Sequence, residues 1–253
     1  MKTVFYTLCS SDLQNNTNKR GLDFIGFMNS FKKFHPDIEM KVFDETDLAK
    51  HGVNWYNAKG VFGSILAKEY DLVVNVDADH YFFDRLSEIL IGDYDIACPA
   101  NFNSMVNVAI KTTSGLNGNS HPAELVSAME YLQGGLIAST SKQFWEQYKY
   151  VTLKHYDKLF CSENDTLNLV AYLFQYEVKV LDGHLDFKHP LHTQWYGCSS
   201  LGKEKLAQVV GDKVMIDKKQ LKAYHFAHGG TKKKYTELFN PQVSNFIKTK
   251  IVN

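Results

Sequence analysis

The stretch Leu72–Phe83, LVVNVDADHYFF, poses the first question of fold. A strand-forming run, Leu72 to Val76, leads straight into two aspartates one residue apart, Asp77 and Asp79. A nearly continuous apolar run of this length reads as a strand buried on both faces, the kind found inside a parallel sheet. Ligands of such sheets bind beyond the carboxyl ends of the strands, where both carboxylates fall. Strand alternation would point the two side chains the same way. Two converging carboxylates repel unless a cation sits between them, and hard oxygen ligands suit magnesium or manganese. Such an ion neutralises a diphosphate as it leaves. The competing reading is a solvated turn in which Asp79 caps a helix that follows.

Outward from this stretch, strands and helices alternate. TVFYTLC (3–9) reads as a buried strand, FIGFMNSFKKF (24–34) as an amphipathic helix, MKVFDE (40–45) as a second strand and WYNAKGVFGSILAKEY (55–70) as a second helix. After the third strand come DRLSEILI as a short helix and DYDIACPA as a fourth strand. The alternation implies an α/β chain with a Rossmann-like, mainly parallel sheet flanked by helices. Asn101 to Pro122 is rich in Asn, Ser, Thr and Gly and reads as a long loop, which inside a domain is more often functional than accidental. AELVSAMEYLQGGLIAST then reads as a helix running into a strand after Gly134 and Gly135. SENDTLNLVAYLF (162–174) reads as a helix with Ser162 as N-cap and acidic residues in its first turn. The tail offers a strand, LKAYHFA, then HGGTKKKY and a polar end. No repeat or linker interrupts the chain, so residues 1–253 read as a single domain.

Composition removes several classes. The 253 residues carry 28 Lys plus Arg against 28 Asp plus Glu, which gives no support to a nucleic-acid partner. Cys9, Cys98, Cys161 and Cys198 lie far apart with no CxxC spacing, so buried thiols in a reducing compartment fit better than a zinc ribbon or a disulfide framework. The opening MKTVFYTLCSS reads as a strand rather than a signal sequence, and no apolar run approaches the ~18 residues of a membrane span. The cytoplasm is the expected location, with peripheral contact to a membrane surface left open.

Taken in order, these segments resemble the GT-A glycosyltransferases, and among them the retaining family 8, which includes glycogenin and bacterial lipopolysaccharide galactosyltransferases. The family has a basic residue in the helix before the Asp-x-Asp strand; here Lys59 stands 18 positions before Asp77. Its Asn-x-Gly and apolar strand correspond to Gln133, Gly134 and Gly135 in YLQGGLIAST. Its Asp-Gln-Asp and later Asn are matched by Glu163, Asn164, Asp165 and Asn168 in ENDTLN. Its closing His-Phe-x-Gly-x-x-Lys is similar to AYHFAHGGTKKKY. Nearly the whole chain is covered.

The resemblance implies a GT-A domain whose residues 1–100 bind a nucleotide sugar and whose residues 101–253 hold the catalytic and acceptor half. It implies a UDP-sugar donor and a glycan, lipid-linked or protein acceptor. Mn2+ or Mg2+ would be held by Asp77, Asp79 and His225. Donor contacts would come from Thr7, Leu8, Cys9, Lys59, Asp77, Ala78, Asp79, Gly134, Gly135, His228, Gly229 and Lys232. Gln133, Glu163, Asn164 and Asp165 would face the sugar.

The chain also departs from the pattern. Asn164 replaces the family's Gln and Glu163 its first Asp. His228 stands at the Gly position and Thr231 at the Lys position, with Lys232 one place late. Either His225 or His228 is then the metal ligand, and His225 follows its strand as the family's His does. Read as residues alone, a strand His beside Phe226 is also an ordinary buried side chain, the lysine run a solvated face, and the acidic trio a helix cap. A nucleotidyltransferase would show a Gly-rich basic loop after the first strand, where CSSDLQNNTNKR is a poor candidate. A haloacid-dehalogenase-like phosphatase would carry its Asp-x-Asp on the first strand, not the third. A sugar-nucleotide binder without turnover stays open.

Overall fold

The structure is a computed structural model, and it describes residues 1–15, 23–101, 131–155, 162–181, 203–216, 219–226 and 238–252. In chain order the elements are β1 (Thr3–Leu8), α1 (Ser11–Asn15), α2 (Phe24–Phe34), β2 (Glu39–Phe43), α3 (Glu45–Lys50), α4 (Ala58–Leu66), β3 (Leu72–Val76) and β4 (His80–Phe82). There follow α5 (Ser87–Leu90), β5 (Ile96–Asn101), β6 (Tyr131–Leu132), β7 (Leu136–Ser139), α6 (Lys142–His155), α7 (Ser162–Leu173) and β8 (Val178–Leu181). The last are β9 (Gln208–Val210), β10 (Lys213–Ile216), β11 (Lys219–Gln220), β12 (Ala223–His225) and α8 (Pro241–Phe246). Two compact units share these elements. The first comprises Met1–Leu8, Glu39–Val76 and Glu88–Val180; the second comprises Cys9–Ile38, Asp77–Ser87 and Leu181–Asn253.

The first unit holds a seven-stranded sheet in the order β2-β1-β3-β7-β5-β6, with β8 pairing β5 off this path. β1 pairs in parallel with both β2 and β3. β7 is antiparallel to β3 and to β5, so β2, β1, β3 and β5 share a direction and β7 runs against them. This is the mainly parallel mixed sheet read from the sequence. All five residues of β3 are buried, as its apolar run requires of a strand with neighbours on both sides. Asn75, the polar exception, reaches the Tyr6 carbonyl.

Helices α4 and α6 pack closely in this unit because α4 carries glycine where α6 approaches. A Cβ on Gly63 would stand 2.1 Å from the Trp145 ring, and one on Gly60 would stand 2.8 Å from the Lys149 backbone. Around this contact Tyr6, Phe62, Phe144, Trp145 and Tyr148 form an aromatic-rich core. Three segments read differently in sequence. MKVFDE ends as a strand at Phe43, because Asp44 caps α3 in a reciprocal box with Asp47. The helix read over 55–70 is confined to Ala58–Leu66. Tyr131 and Leu132, read as the end of a helix, are strand residues paired with β5, and residues 123–130 of that segment lie outside the described residues.

The second unit contains the antiparallel pair β4–β12, the antiparallel strands β9, β10 and β11, and helices α2 and α8. Asp23 caps α2 by accepting from Gly26 N–H and also takes the Tyr81 hydroxyl at 2.8 Å, so one buried carboxylate joins the helix start to β4. Ser30 Oγ accepts from Phe82 N–H at 3.1 Å. Tyr81, Tyr224, Phe226, Phe239 and Val243 fill the core of this unit. Among the described residues no helix is long and apolar enough to cross a membrane.

Candidate functional site

The two aspartates lie in a turn and not on a strand. β3 stops at Val76, and Asp77, Ala78 and Asp79 form a tight turn closed by His80 N–H donating to the Asp77 carbonyl at 3.2 Å. β4 begins immediately after it, in place of the helix that Asp79 would have capped. The cross-strand partner fixes the geometry: β4 and β12 pair so that His80 faces His225, Tyr81 faces Tyr224 and Phe82 faces Ala223. Phe226 N–H donates to the Asp79 carbonyl at 2.9 Å, tying the turn to the end of β12.

This register gathers four polar side chains within the second unit. His225 Nε2 lies 3.0 Å from Asp79 Oδ1 and 3.9 Å from Asp77 Oδ2. Asp79, His80 and His225 each present a ligand atom within 4.8 Å of the others. His80 and His225 are almost fully buried, whereas the Asp77 carboxylate is 32 % exposed, so the site has a buried floor and an open rim. Burial by itself would raise the Asp79 carboxyl, but His225 and His80 beside it outweigh that effect and hold it below the ordinary carboxylate range.

The donor set fits a divalent cation. Asp79 Oδ1 is buried and receives no hydrogen bond of good geometry among the described residues, although an imidazole nitrogen stands 3.0 Å away. Neighbouring donors on an octahedral ion with bonds of about 2.1 Å are separated by about 3 Å. Carboxylate oxygens together with imidazole suit manganese, and the oxygens alone suit magnesium. Of the expected ligands, Asp79 and His225 are brought together, while Asp77 Oδ2 stands 3.9 Å from His225 Nε2, outside the group of donors within 4.8 Å of one another. His80 joins them and was missed in sequence, although it follows Asp79 directly; a histidine in that place reads as the first residue of any half-buried strand.

A second cluster lies within the first unit. The Lys59 ammonium is buried and donates to Glu163 Oε1 at 2.6 Å and to the Gly134 carbonyl at 2.8 Å. Gly134 N–H in turn donates to Asn164 Oδ1 at 2.7 Å. Glycine is required there, because a Cβ would come 2.8 Å from Asn164 Oδ1 and 3.1 Å from Glu163 Oε1. Asn168 completes the arrangement by accepting from Leu132 N–H at 2.7 Å and donating to the Leu132 carbonyl at 2.9 Å, as a strand neighbour would. Gln133 and Asp165 are buried here as well. Lys59, Gly134, Glu163 and Asn164, scattered over more than a hundred positions, form one hydrogen-bonded group.

Thr7 and Leu8 end β1 in the first unit, and Cys9 begins the first segment of the second. Ala78 is the buried middle of the aspartate turn, and Gly135 leads into β7. The helix α7 starts at Ser162 itself, and that residue's side chain is not described. His228, Gly229, Gly230 and Lys232 lie outside the described residues, as do Cys161, Cys198, Trp195, Tyr196 and positions 102–122. Cys9 and Cys98 are buried thiols, and burial pushes the Cys98 thiol far up.

No protein-family model matches the chain, and no curated protein matches it in sequence. Solved structures do match in fold. The bifunctional glycosyltransferase WbbM is matched over 72 % of this chain at 14 % identity with a TM-score of 0.43, and the chain spans only 38 % of that protein. The apo form of mouse xyloside xylosyltransferase 1 is matched over 90 % of this chain and 98 % of its own length, at 9 % identity with a TM-score of 0.54. An active-site mutant of LgtC is matched over 98 % of this chain and 94 % of its own length, at 14 % identity with a TM-score of 0.50. The last two cover both chains almost completely, and the fold of this protein is the GT-A glycosyltransferase fold.

Proposed function

We propose that the protein is a metal-dependent glycosyltransferase that moves a hexose from a UDP-sugar to a glycan, lipid-linked or protein acceptor in the cytoplasm, with retention as in family 8. The observation that carries this reading is the turn at Asp77 and Asp79 closing on His225, with Asp79 Oδ1 and His225 Nε2 3.0 Å apart on a GT-A fold. Asp77, Asp79 and His225 are the residues to hold Mn2+ or Mg2+. A bound divalent ion supplies positive charge to the diphosphate as the bond to the sugar stretches.

The other roles belong to the chain's own groups. Lys232 adds a point charge against the diphosphate, and Gly229 beside His228 lets the backbone approach it. Thr7 and Leu8, at the end of β1, and Cys9 after them take the base and ribose through the main chain. Lys59 and Glu163 neutralise one another, so Gln133 and Asn164 meet the sugar as dipoles and not beside an uncompensated charge. Asn164 Oδ1 already accepts from Gly134 N–H and keeps a second lone pair for positive charge developing on the anomeric carbon. Fixed dipoles of this kind stabilise the transition state more than the ground state. The acceptor hydroxyl attacks from the leaving-group face and passes its proton to a diphosphate oxygen. Trp195, Tyr196 and the segment 101–122 are assigned to the acceptor.

The test is incubation of the purified protein with a panel of nucleotide sugars and Mn2+, scoring free nucleoside diphosphate. Release selective for one donor, lost on chelation and in Asp79→Ala, is the expected result. Absence of both release and nucleotide binding across the panel would overturn the proposal.

A further inference from the structure

We propose that His80 is a positioning residue of the metal centre and not one of its ligands: it stacks against the ligand His225 and secures the turn that carries both aspartates. This rests on the metal-dependent reading above and concerns how the chain itself prepares that centre.

Proximity alone would make His80 a ligand, since its ring lies within 4.8 Å of the other donors. Ring geometry argues otherwise. The His80 and His225 rings are stacked, with centroids 4.2 Å apart and planes inclined by only 10°. Ring atoms cannot approach closer than about 3.5 Å, so two nearly parallel rings at this separation lie in different planes. An imidazole nitrogen binds a metal along its lone pair, in the plane of the ring, at about 2.1 Å. The in-plane lone pairs of the two rings therefore lie in different planes, and a cation held by His225 would not also be held by His80.

The hydrogen bonding of His80 gives it a different task. His80 Nδ1 lies 2.9 Å from the Asp77 carbonyl oxygen, and because a carbonyl only accepts, Nδ1 carries the proton. The same carbonyl receives His80 N–H at 3.2 Å. One residue thus clamps Asp77 from two sides, while its ring face fixes the rotamer of the residue directly opposite on β12. His225 Nε2 is left 3.0 Å from Asp79 Oδ1 and 3.9 Å from Asp77 Oδ2. Groups that orient metal ligands in this way typically contribute roughly 10- to 100-fold in metal affinity.

The experiment measures Mn2+ binding by the depletion of free-ion signal in electron paramagnetic resonance, with and without UDP, and counts nitrogen nuclei bound directly to Mn2+ by pulsed methods. One bound nitrogen is expected in the wild type and none in His225→Phe. His80→Ala is expected to weaken Mn2+ about 10- to 100-fold while the bound ion still shows one nitrogen. His80→Phe, which keeps the stack, and His80→Asn, which keeps a donor for the Asp77 carbonyl, should each recover part of that loss. Two bound nitrogens in the wild type, or a His80→Phe protein that is folded by circular dichroism yet as defective as His225→Phe, would overturn the inference and leave the metal reading intact. Unchanged affinity in His80→Ala would overturn it as well. A wild type that takes up no Mn2+ under either condition would overturn both.

Discussion

The ion pair between Lys59 and Glu163 offers a quantitative test, because its two partners are buried unequally. The Lys59 side chain is 6 % exposed and that of Glu163 is 24 % exposed, with 2.6 Å between Nζ and Oε1. Breaking a buried pair by removing one partner costs about 3–5 kcal/mol, because a charge is left without compensation. Which charge remains decides the cost. Glu163→Gln leaves the ammonium in its buried position, and the full effect, about 3 kcal/mol, is expected. Lys59→Met leaves a carboxylate that water can reach, so that part falls to about 1–2 kcal/mol after discounting for solvent. Losing the bond to the Gly134 carbonyl adds about 1 kcal/mol. The double variant should be less destabilised than the sum of the singles, with a coupling of about 2 kcal/mol. Urea unfolding of the four proteins measures all three quantities, and 3 kcal/mol corresponds to a Tm shift of about 6–12 °C for a chain of this size. A coupling near zero, or Lys59→Met clearly worse than Glu163→Gln, would refute the assignment of the pair as a buried structural contact.

Three further outcomes are expected. Gly63→Ala must push the Trp145 ring away from a Cβ that would lie 2.1 Å from it, at a cost of about 2–3 kcal/mol in thermal unfolding. Asn168→Leu leaves the Leu132 N–H and carbonyl without their partners inside the core and should cost about 2–4 kcal/mol, measured the same way. His35 gives a pH effect: burial above all, and then Arg85, lower its pKa to about 4, opposed by a hydrogen bond to the Phe31 backbone and then by Asp37 and Asp84. Its Nε2 accepts from Leu86 N–H, so the folded form holds the neutral ring. Between pH 6.5 and 4 the unfolded chain takes up the proton and the folded chain resists it, so stability falls as the pH falls, by up to about 3 kcal/mol for this group. His35→Gln, which keeps an acceptor for Leu86, should flatten that part of the stability profile.

Legibility of the fold from sequence followed the range of the interactions involved. β3 and α2 were readable because a five-residue buried strand and an eleven-residue amphipathic helix write their burial locally. LKAYHFA reads as a strand and contains β12, but β4 and the pairing of the two were harder. Each has three residues, and their register is fixed by partners about 145 positions apart, for which neither HYF nor AYH carries a local signal. α6 was missed because its aromatic residues serve a contact with α4 that only the glycines of α4 permit. At the site, motif spacing points to Asp77, Asp79 and His225, but strand alternation does not place the aspartates, because β3 stops at Val76 and both lie in the turn that follows. His80 was invisible for the same reason as β4. Lys59, Gly134, Glu163 and Asn164 were each picked out in sequence, yet their connection into one hydrogen-bonded group depends on tertiary packing that no single motif records.

Asp77, Asp79 and His225 are proposed to bind a metal that in turn presents a nucleoside diphosphate to the chain. Calorimetric titration with UDP, in Mn2+ and in chelator, tests it most directly. UDP should bind at least about tenfold more tightly with Mn2+, a difference of about 1.4 kcal/mol, and the difference should vanish in Asp79→Ala. Equal affinity in the two buffers, or a metal effect that survives Asp79→Ala, would contradict it.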